Sequence, residues 1–346
     1  MFKRYQLKIK FRNSILVFIV VLSCSMCKQT DEPIIQNPVF NTLMRTTGDT
    51  ADVTTITSFG TCLMGGSTDV DEAFKWMIEK SGGGDFVVLR ADVSEGNHPY
   101  IIKLGTVNSV ETIILPTDSD AINPLVAKKI RNAEALFIAG GDQADYVRLW
   151  KDTPVEDAIN YLINDKKVPV GGTSAGCAIM GSSYFSAMNG SVTSSEAMNN
   201  PYNSLITLGH NNFINNPYLQ NTITDQHYSQ RGREGRLVTF MARMLVDLDT
   251  SPKAIAVDEE TAVCIDENGI VTTLGVNNAF FLRCNSLPEN CTTGTKLTWY
   301  NNKQAVRVFS LSGTQTNNTF DLTNFNSGSD ENMLYYYIEN GIFYKN

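Results

Sequence analysis

Six small residues, Gly171-Gly172-Thr173-Ser174-Ala175-Gly176, follow directly on the apolar run Val168-Pro169-Val170. A cramped backbone that tolerates only small neighbours is what a sharp strand-to-helix turn requires, and such a turn lifts one serine hydroxyl out of a sheet. The pattern therefore demands a buried strand before Ser174 and a helix after it. The start of that helix would add a positive end, and the Ala175 N–H, near any developing oxyanion.

A serine hydroxyl is a poor nucleophile until a neighbouring base takes its proton, and histidine is the usual base near neutral pH. The chain has three histidines. His98 precedes Pro99 in a turn, and His210 sits in the Asn-rich Gly209-His210-Asn211-Asn212. His227 lies in Asp225-Gln226-His227-Tyr228-Ser229-Gln230-Arg231-Gly232-Arg233-Glu234-Gly235-Arg236, between a carboxylate, an amide and a cluster of guanidinium groups. It is the expected base. An orienting acid would hold its tautomer. Between the turn and Thr224 the chain offers only Glu196, with Asp225 as competitor; the Asp225 side chain, next to Gln226 on a strand end, is expected on the opposite face from that of Gln226.

A second strand-to-helix junction is written in Ala135-Leu136-Phe137-Ile138-Ala139-Gly140-Gly141-Asp142-Gln143. Glycines there let backbone N–H groups turn toward a ligand, so Gly141 or Asp142 is the expected second oxyanion donor beside Ala175, with Gln143 projecting into the same cleft.

Length and alternation supply the frame. A chain of 346 residues can bury one substantial α/β core and a small appendage. Asp85–Arg90 and Thr112–Leu115 read as buried strands and Asp69–Ile78 as an amphipathic helix. Short apolar strands separated by helices favour a parallel, doubly wound sheet with ligands at strand C-termini. Past Asp266 the composition shifts to Thr, Asn and aromatic residues. Lys296–Tyr300, Ala305–Phe309 and Asn332–Glu339 read as strands, and Ser310–Glu331 as loop or linker. The expected organisation is a catalytic core over 51–266 and a small β-rich C-terminal extension over 267–346.

With these residues assembled, the chain resembles the cyanophycinase family of serine peptidases, whose nearer relatives include the aspartyl dipeptidases called peptidase E. The carriers are Gly140–Gln143, the Gly172–Gly176 turn, the Asp225-Gln226-His227 block with Arg231, Arg233 and Arg236, and a weaker match at Ile255-Ala256-Val257-Asp258-Glu259-Glu260-Thr261-Ala262. The resemblance implies a class I glutamine-amidotransferase-like, flavodoxin-like α/β fold. It implies Ser174 as nucleophile, His227 as base and Glu196 as acid, with Gln143, Asp225, Gln226, Arg231, Arg233 and Arg236 lining a cleft for a β-aspartyl-arginine unit. Guanidinium groups bind carboxylates bidentately, while acids and amides can receive a substrate guanidinium. It calls for no cofactor and no metal. Two other classes stay open: an esterase sharing Gly-x-Ser-x-Gly, and an inactive peptide-binding lipoprotein.

The amino end bears on compartment. Lys3, Arg4, Lys8, Lys10 and Arg12 precede the apolar run Ile15–Val21, too short to span a bilayer permanently. Val21-Leu22-Ser23-Cys24 resembles a bacterial lipobox. Residues 1–23 are thus expected to be a lipoprotein signal peptide, Cys24 the lipid-bearing residue, and 24–50 a tether, giving an exported, membrane-anchored, periplasmic or outer-surface bacterial lipoprotein. Export permits disulfides, and Cys284 and Cys291, flanking a Pro-containing turn, are the expected pair. A net charge of −8 argues against nucleic acid as partner. The expected partner is a peptide substrate, with a homodimer left open.

Overall fold

The computed structural model describes residues 40–93, 98–315, 319–326 and 333–346. In chain order these form β1 (Leu43–Gly48), β2 (Gly60–Met64), α1 (Asp71–Lys80), β3 (Asp85–Arg90), β4 (Ser109–Ile114), α2 (Asp118–Ala121), α3 (Pro124–Asn132), β5 (Ala135–Ile138), α4 (Gln143–Trp150), α5 (Pro154–Tyr161) and β6 (Pro169–Thr173). There follow α6 (Ala175–Ala178), β7 (Ser183–Phe185), α7 (Ser194–Asn199), β8 (Leu208–His210), β9 (Thr222–Gln226), α8 (Glu234–Asp247), β10 (Lys253–Val257), β11 (Thr261–Asp266) and β12 (Ile270–Gly275). The last are β13 (Asn278–Cys284), β14 (Val306–Ser312), β15 (Thr319–Asp321), β16 (Met333–Glu339) and β17 (Ile342–Lys345).

Among the described residues the strands pair into two sheets, β1-β4-β3-β5-β6-β2-β11-β12-β15 and β17-β16-β14-β13-β10-β9-β7-β8. The run β4-β3-β5-β6-β2 is parallel throughout. Its strands are apolar on both faces because both are covered, which is the pattern parallel sheets require. On one side α1 buries Ala73, Phe74, Met77 and Ile78, and Phe74 meets Phe86 of β3 and Phe137 of β5 at ring separations of 6.0 and 4.7 Å. On the other, α3, α4 and α5 cover Val87, Leu136 and Ile138 with Ile130, Leu149, Trp150 and Val155. Truncating Phe74 to Ala would cost about 3–5 kcal/mol. The chain is therefore of the α/β class, and β5 and β6 both point their C-terminal ends at the functional turns.

Residues 267–346 do not stand apart. β12 and β15 extend the first sheet beyond β11, and β13, β14, β16 and β17 extend the second beyond β10. Two local expectations change. Lys296–Tyr300 forms isolated bridges, Asn290 to Thr298 and Trp299 to Ile338, instead of a strand. Ser310–Glu331, expected as loop, contributes the end of β14 and all of β15. The leader, Cys24 and the expected tether up to residue 39 lie outside the described residues; the rest of that tether, 40–50, belongs to the fold instead, since Leu43–Gly48 is β1 and pairs antiparallel with β4. No helix among the described residues is long and apolar enough to cross a membrane.

Candidate active site

The turn between β6 and α6 places Ser174 at φ 50°, ψ −114°, a conformation few non-glycine residues adopt. It is reached because the strand and helix backbones nearly touch: a Cβ on Gly172 would sit 2.6 Å from the Gly176 carbonyl carbon, and one on Gly176 would sit 2.2 Å from the Ile138 carbonyl oxygen. The Ser174 N–H donates to the Met64 carbonyl at 3.1 Å, which fixes the turn to the end of β2. The Ser174 hydroxyl then lies 2.7 Å from His227 Nε2.

His227 follows β9 and is itself at φ 47°. Its N–H donates to the Gly65 carbonyl at 2.8 Å, and its ring packs against Gly66. Gly66 has φ +100°, and a Cβ there would fall 2.3 Å from His227 Cε1 and 2.5 Å from Nε2. The imidazole occupies the place of a side chain that only glycine omits. The other ring nitrogen, Nδ1, lies 2.6 Å from Glu259 Oε1. With Nδ1–H given to that carboxylate, Nε2 is left as acceptor for the Ser174 hydroxyl, a tautomer inferred from the partners. The His227 side chain is 6% exposed. Burial pushes its pKa below the ordinary value, the Glu259 hydrogen bond opposes this, and the Arg231 and Arg233 charges add to the lowering.

Glu259 lies between β10 and β11, in a turn tied down on both sides. Its N–H donates to Gln230 Oε1 at 3.0 Å, and the Ser229 N–H donates to Asp258 Oδ1 at 2.8 Å. This replaces the expected acid. Glu196 is exposed and its Oε2 accepts from the Thr193 N–H at 2.9 Å and hydroxyl at 2.7 Å, closing a capping box at the start of α7. A helix cap in place of an imidazole partner is its role, for Thr193-x-x-Glu196 is the capping-box spacing itself. The missed residue was visible as Asp258-Glu259-Glu260 at the end of a buried strand.

The remaining expected residues divide. Asp225, the competing acid, accepts from Arg236 at 3.0 Å (Nε) and 2.5 Å (Nη2), and Arg236 is 2% exposed between the rings of Phe185 and Phe240. Gln226 is buried beside them, its amide satisfied with nitrogen 3.0 Å from Asp225 Oδ1 and oxygen 3.3 Å from Arg233 Nη1. Asp225, Gln226 and Arg236 are thus spent on one another, contrary to their expected place on a cleft wall, because a buried charge must be paired. Removing one partner would cost about 3–5 kcal/mol. Arg233 donates to the Gln226 carbonyl at 2.7 Å, and burial pushes its pKa down to about 10. Arg231 stays half in solvent, its Nε 3.9 Å from Glu259 Oε1.

At the second junction Asp142 caps α4, its carboxylate accepting from the Ala144 N–H at 2.9 Å, and Gln143 opens that helix half-buried. The Tyr146 hydroxyl binds the Gly140 carbonyl at 3.0 Å. Across the same trans peptide the Gly141 N–H therefore points away from α4. Gly140 adjoins Ser174, and Ala175 is the first residue of its helix, where an N–H has no intrahelical acceptor.

Two further expectations are corrected or relocated. Cys284 and Cys291 are both free thiols. Cys284 donates to the Pro252 carbonyl at 3.6 Å while Cys291 packs into the apolar core of the second sheet, so the spacing does not bring them into a bridge. His210 meets Ser183 through Nδ1 at 2.7 Å and Asn211 through Nε2 at 2.8 Å, a structural histidine with both nitrogens engaged. No cluster of three or more metal-ligating side chains occurs among the described residues.

The sequence model described as Peptidase family S51 matches residues 62–273. A cyanophycinase of Synechococcus elongatus is 27% identical over 169 residues, 49% of this chain and 48% of its own length. One from Geminocystis herdmanii is 28% identical over 148 residues, 42% of this chain and 48% of its own length. The chain spans about half the length of the curated relatives it matches. Among solved structures, a peptidase from an acI-B1 actinobacterium aligns over 75% of this chain and 96% of its own, at 15% identity and TM-score 0.49. A putative peptidase E protein from Listeria monocytogenes EGD-e aligns over 63% and 99%, at 18% identity and TM-score 0.40.

Proposed function

This chain belongs to Peptidase family S51, and on that premise we propose that it is a serine peptidase acting through Ser174, His227 and Glu259. The observation that carries the reading is the continuous relay of hydroxyl, imidazole and carboxylate, at 2.7 and 2.6 Å. His227 Nε2 would take the Ser174 proton as Oγ attacks the scissile carbonyl. The imidazolium so formed would be stabilised by Glu259 and would return the proton to the leaving amine. Water would then release the acyl group from Ser174. The N–H groups of Ala175 and Gly141 are the proposed oxyanion donors.

For substrate we propose aspartyl peptides of the β-Asp-Arg, cyanophycin-like kind, with Arg231 as the exposed cation that meets a substrate carboxylate and Gln143 as a further polar contact. The likeness to cyanophycinases at 27–28% identity supports this. We read the parallel strands with helices on both faces as a doubly wound frame, and the chain as exported and lipid-anchored through Cys24. Incubating the protein with cyanophycin and a β-aspartyl dipeptide panel, with products identified by mass spectrometry, tests the substrate. Ser174→Ala should fold as wild type and abolish hydrolysis; retained turnover would refute the serine mechanism.

A further inference from the structure

Lys253 opens β10, and Val257 closes it against Gln226 and the Asp258–Glu259 turn, so Lys253 lies at the end of the strand remote from Ser174. In register it faces Arg283 of β13, and Arg283 faces Arg307 of β14. Directly opposed residues of antiparallel strands project from the same face about 4.5–5.5 Å apart, and like charges placed so repel. The row is built into a chain whose net charge is −8. Lys253 and Arg283 are half-buried, and neither has an ion-pair partner among the described residues. Burial, and then the charge of Arg283, push the Lys253 ammonium below its ordinary pKa.

Both cations line a cleft of about 470 Å³ with Ser251, Asn285, Thr323 and Asn324. The nearby acid, Asp321, is engaged elsewhere: it accepts from the Thr323 N–H at 2.8 Å and from Asn324 Nδ2 at 2.7 Å. The Asn285 amide donates to the Gln304 carbonyl at 2.9 Å. What remains to meet a ligand is the Lys253 ammonium, which lies 5.1 Å over the ring of Phe325 in the same cleft, the Arg283 guanidinium fork and the Ser251 hydroxyl.

We propose that this cleft binds a phosphate group, carried by free phosphate, a small phosphate monoester or a lipid headgroup. A carboxylate carries one negative charge on two coplanar oxygens, so a fork that takes both leaves it little charge and only in-plane lone pairs for an ammonium. A phosphate can receive the fork on two oxygens and still offer acceptors to the ammonium and the hydroxyl. Its negative charge relieves the repulsion between Lys253 and Arg283, which supplies the free energy for binding. The site is separate from the Ser174 relay, so occupancy leaves the chemistry there unchanged.

The test is thermal unfolding of the full chain in phosphate, acetate and chloride at equal ionic strength, with the variants Lys253→Met and Arg283→Met alongside. Phosphate should raise the wild-type midpoint, as any ligand selective for the folded state must, while acetate and chloride should not. Either substitution should abolish the rise, and both variants should unfold in chloride at or above the wild-type temperature because a repulsion has been removed. Their peptide hydrolysis should be unchanged. Sedimentation with vesicles of phosphatidic acid against phosphatidylcholine distinguishes the source: binding to the former alone, lost in both variants, with no effect of soluble phosphate, assigns a headgroup. The proposal is overturned if neither soluble phosphate nor phosphatidic acid acts selectively, or if the selective effect survives both substitutions.

Discussion

The imidazole of His227 is held by contacts that act on its chemistry separately. Glu259→Gln keeps the shape of the partner but lets the amide nitrogen face Nδ1, favouring the wrong tautomer; kcat should fall by about two or more orders of magnitude with little change in KM. Glu196→Gln should leave kcat near wild type and instead loosen the start of α7, read as a lower unfolding midpoint. Steady-state kinetics of the two variants decide between the acids. The pH dependence follows from the burial of His227. Because its folded pKa is depressed below the ordinary 6.5, the neutral base persists into mild acid, and the acid limb of kcat/KM should lie below pH 6.5. The same depression means the unfolded chain binds the proton first, so this histidine's contribution to stability is full above 6.5 and lost as pH falls through the folded pKa. Arg231→Ala removes one lowering charge and should move the acid limb upward; an unmoved limb would show that Arg231 does not reach the imidazole electrostatically.

Five element ends converge to make the site: β2 with Gly65–Gly66, β5 with Gly140–Gly141, β6 with Ser174, β9 with His227, and the turn between β10 and β11 with Glu259. The first of these was not legible as functional, since Gly65-Gly66 reads like any strand-ending turn; its importance comes from a ring donated by a residue 161 positions later. Gly66→Ala should therefore lower kcat by about a hundredfold or more, since displacing a catalytic group by about 1 Å carries such a cost. Far-ultraviolet dichroism should stay native while activity is lost. A variant with wild-type kcat would mean that the ring can shift without losing Ser174. The arginines of the block after His227 were legible as a charge cluster but not as three different environments. Their helix, α8, buries Arg236 on its inner face and leaves Arg231 before its first turn, and only the direction of the helix separates them.

At the scale of the molecule, the expected appendage is woven into both sheets. Truncation after Asp266 would strip β12 and β15 from one sheet and β13, β14, β16 and β17 from the other, removing the buried Phe281, Phe309 and Phe320 and exposing the edges of β10 and β11. Such a chain should be insoluble or show no cooperative unfolding; a soluble, active truncate would restore the view of an independent extension. The sequence by itself determined the local chemistry. Steric limits at Gly172–Gly176 required a tight turn at Ser174, apolar runs of four to six residues required buried parallel strands, and the shortage of histidines left one plausible base. These are properties of neighbouring residues, written within a few positions of one another. Only the tertiary structure decided which acid meets His227, which arginines are spent on Asp225, and where the last strands pair. Each depends on which face of a strand or helix a side chain leaves by and on what another element brings opposite it. Glu196 and Glu259 are equally good carboxylates in sequence; one faces the first turn of its own helix, and the other is carried by the end of β10 to within 2.6 Å of the imidazole.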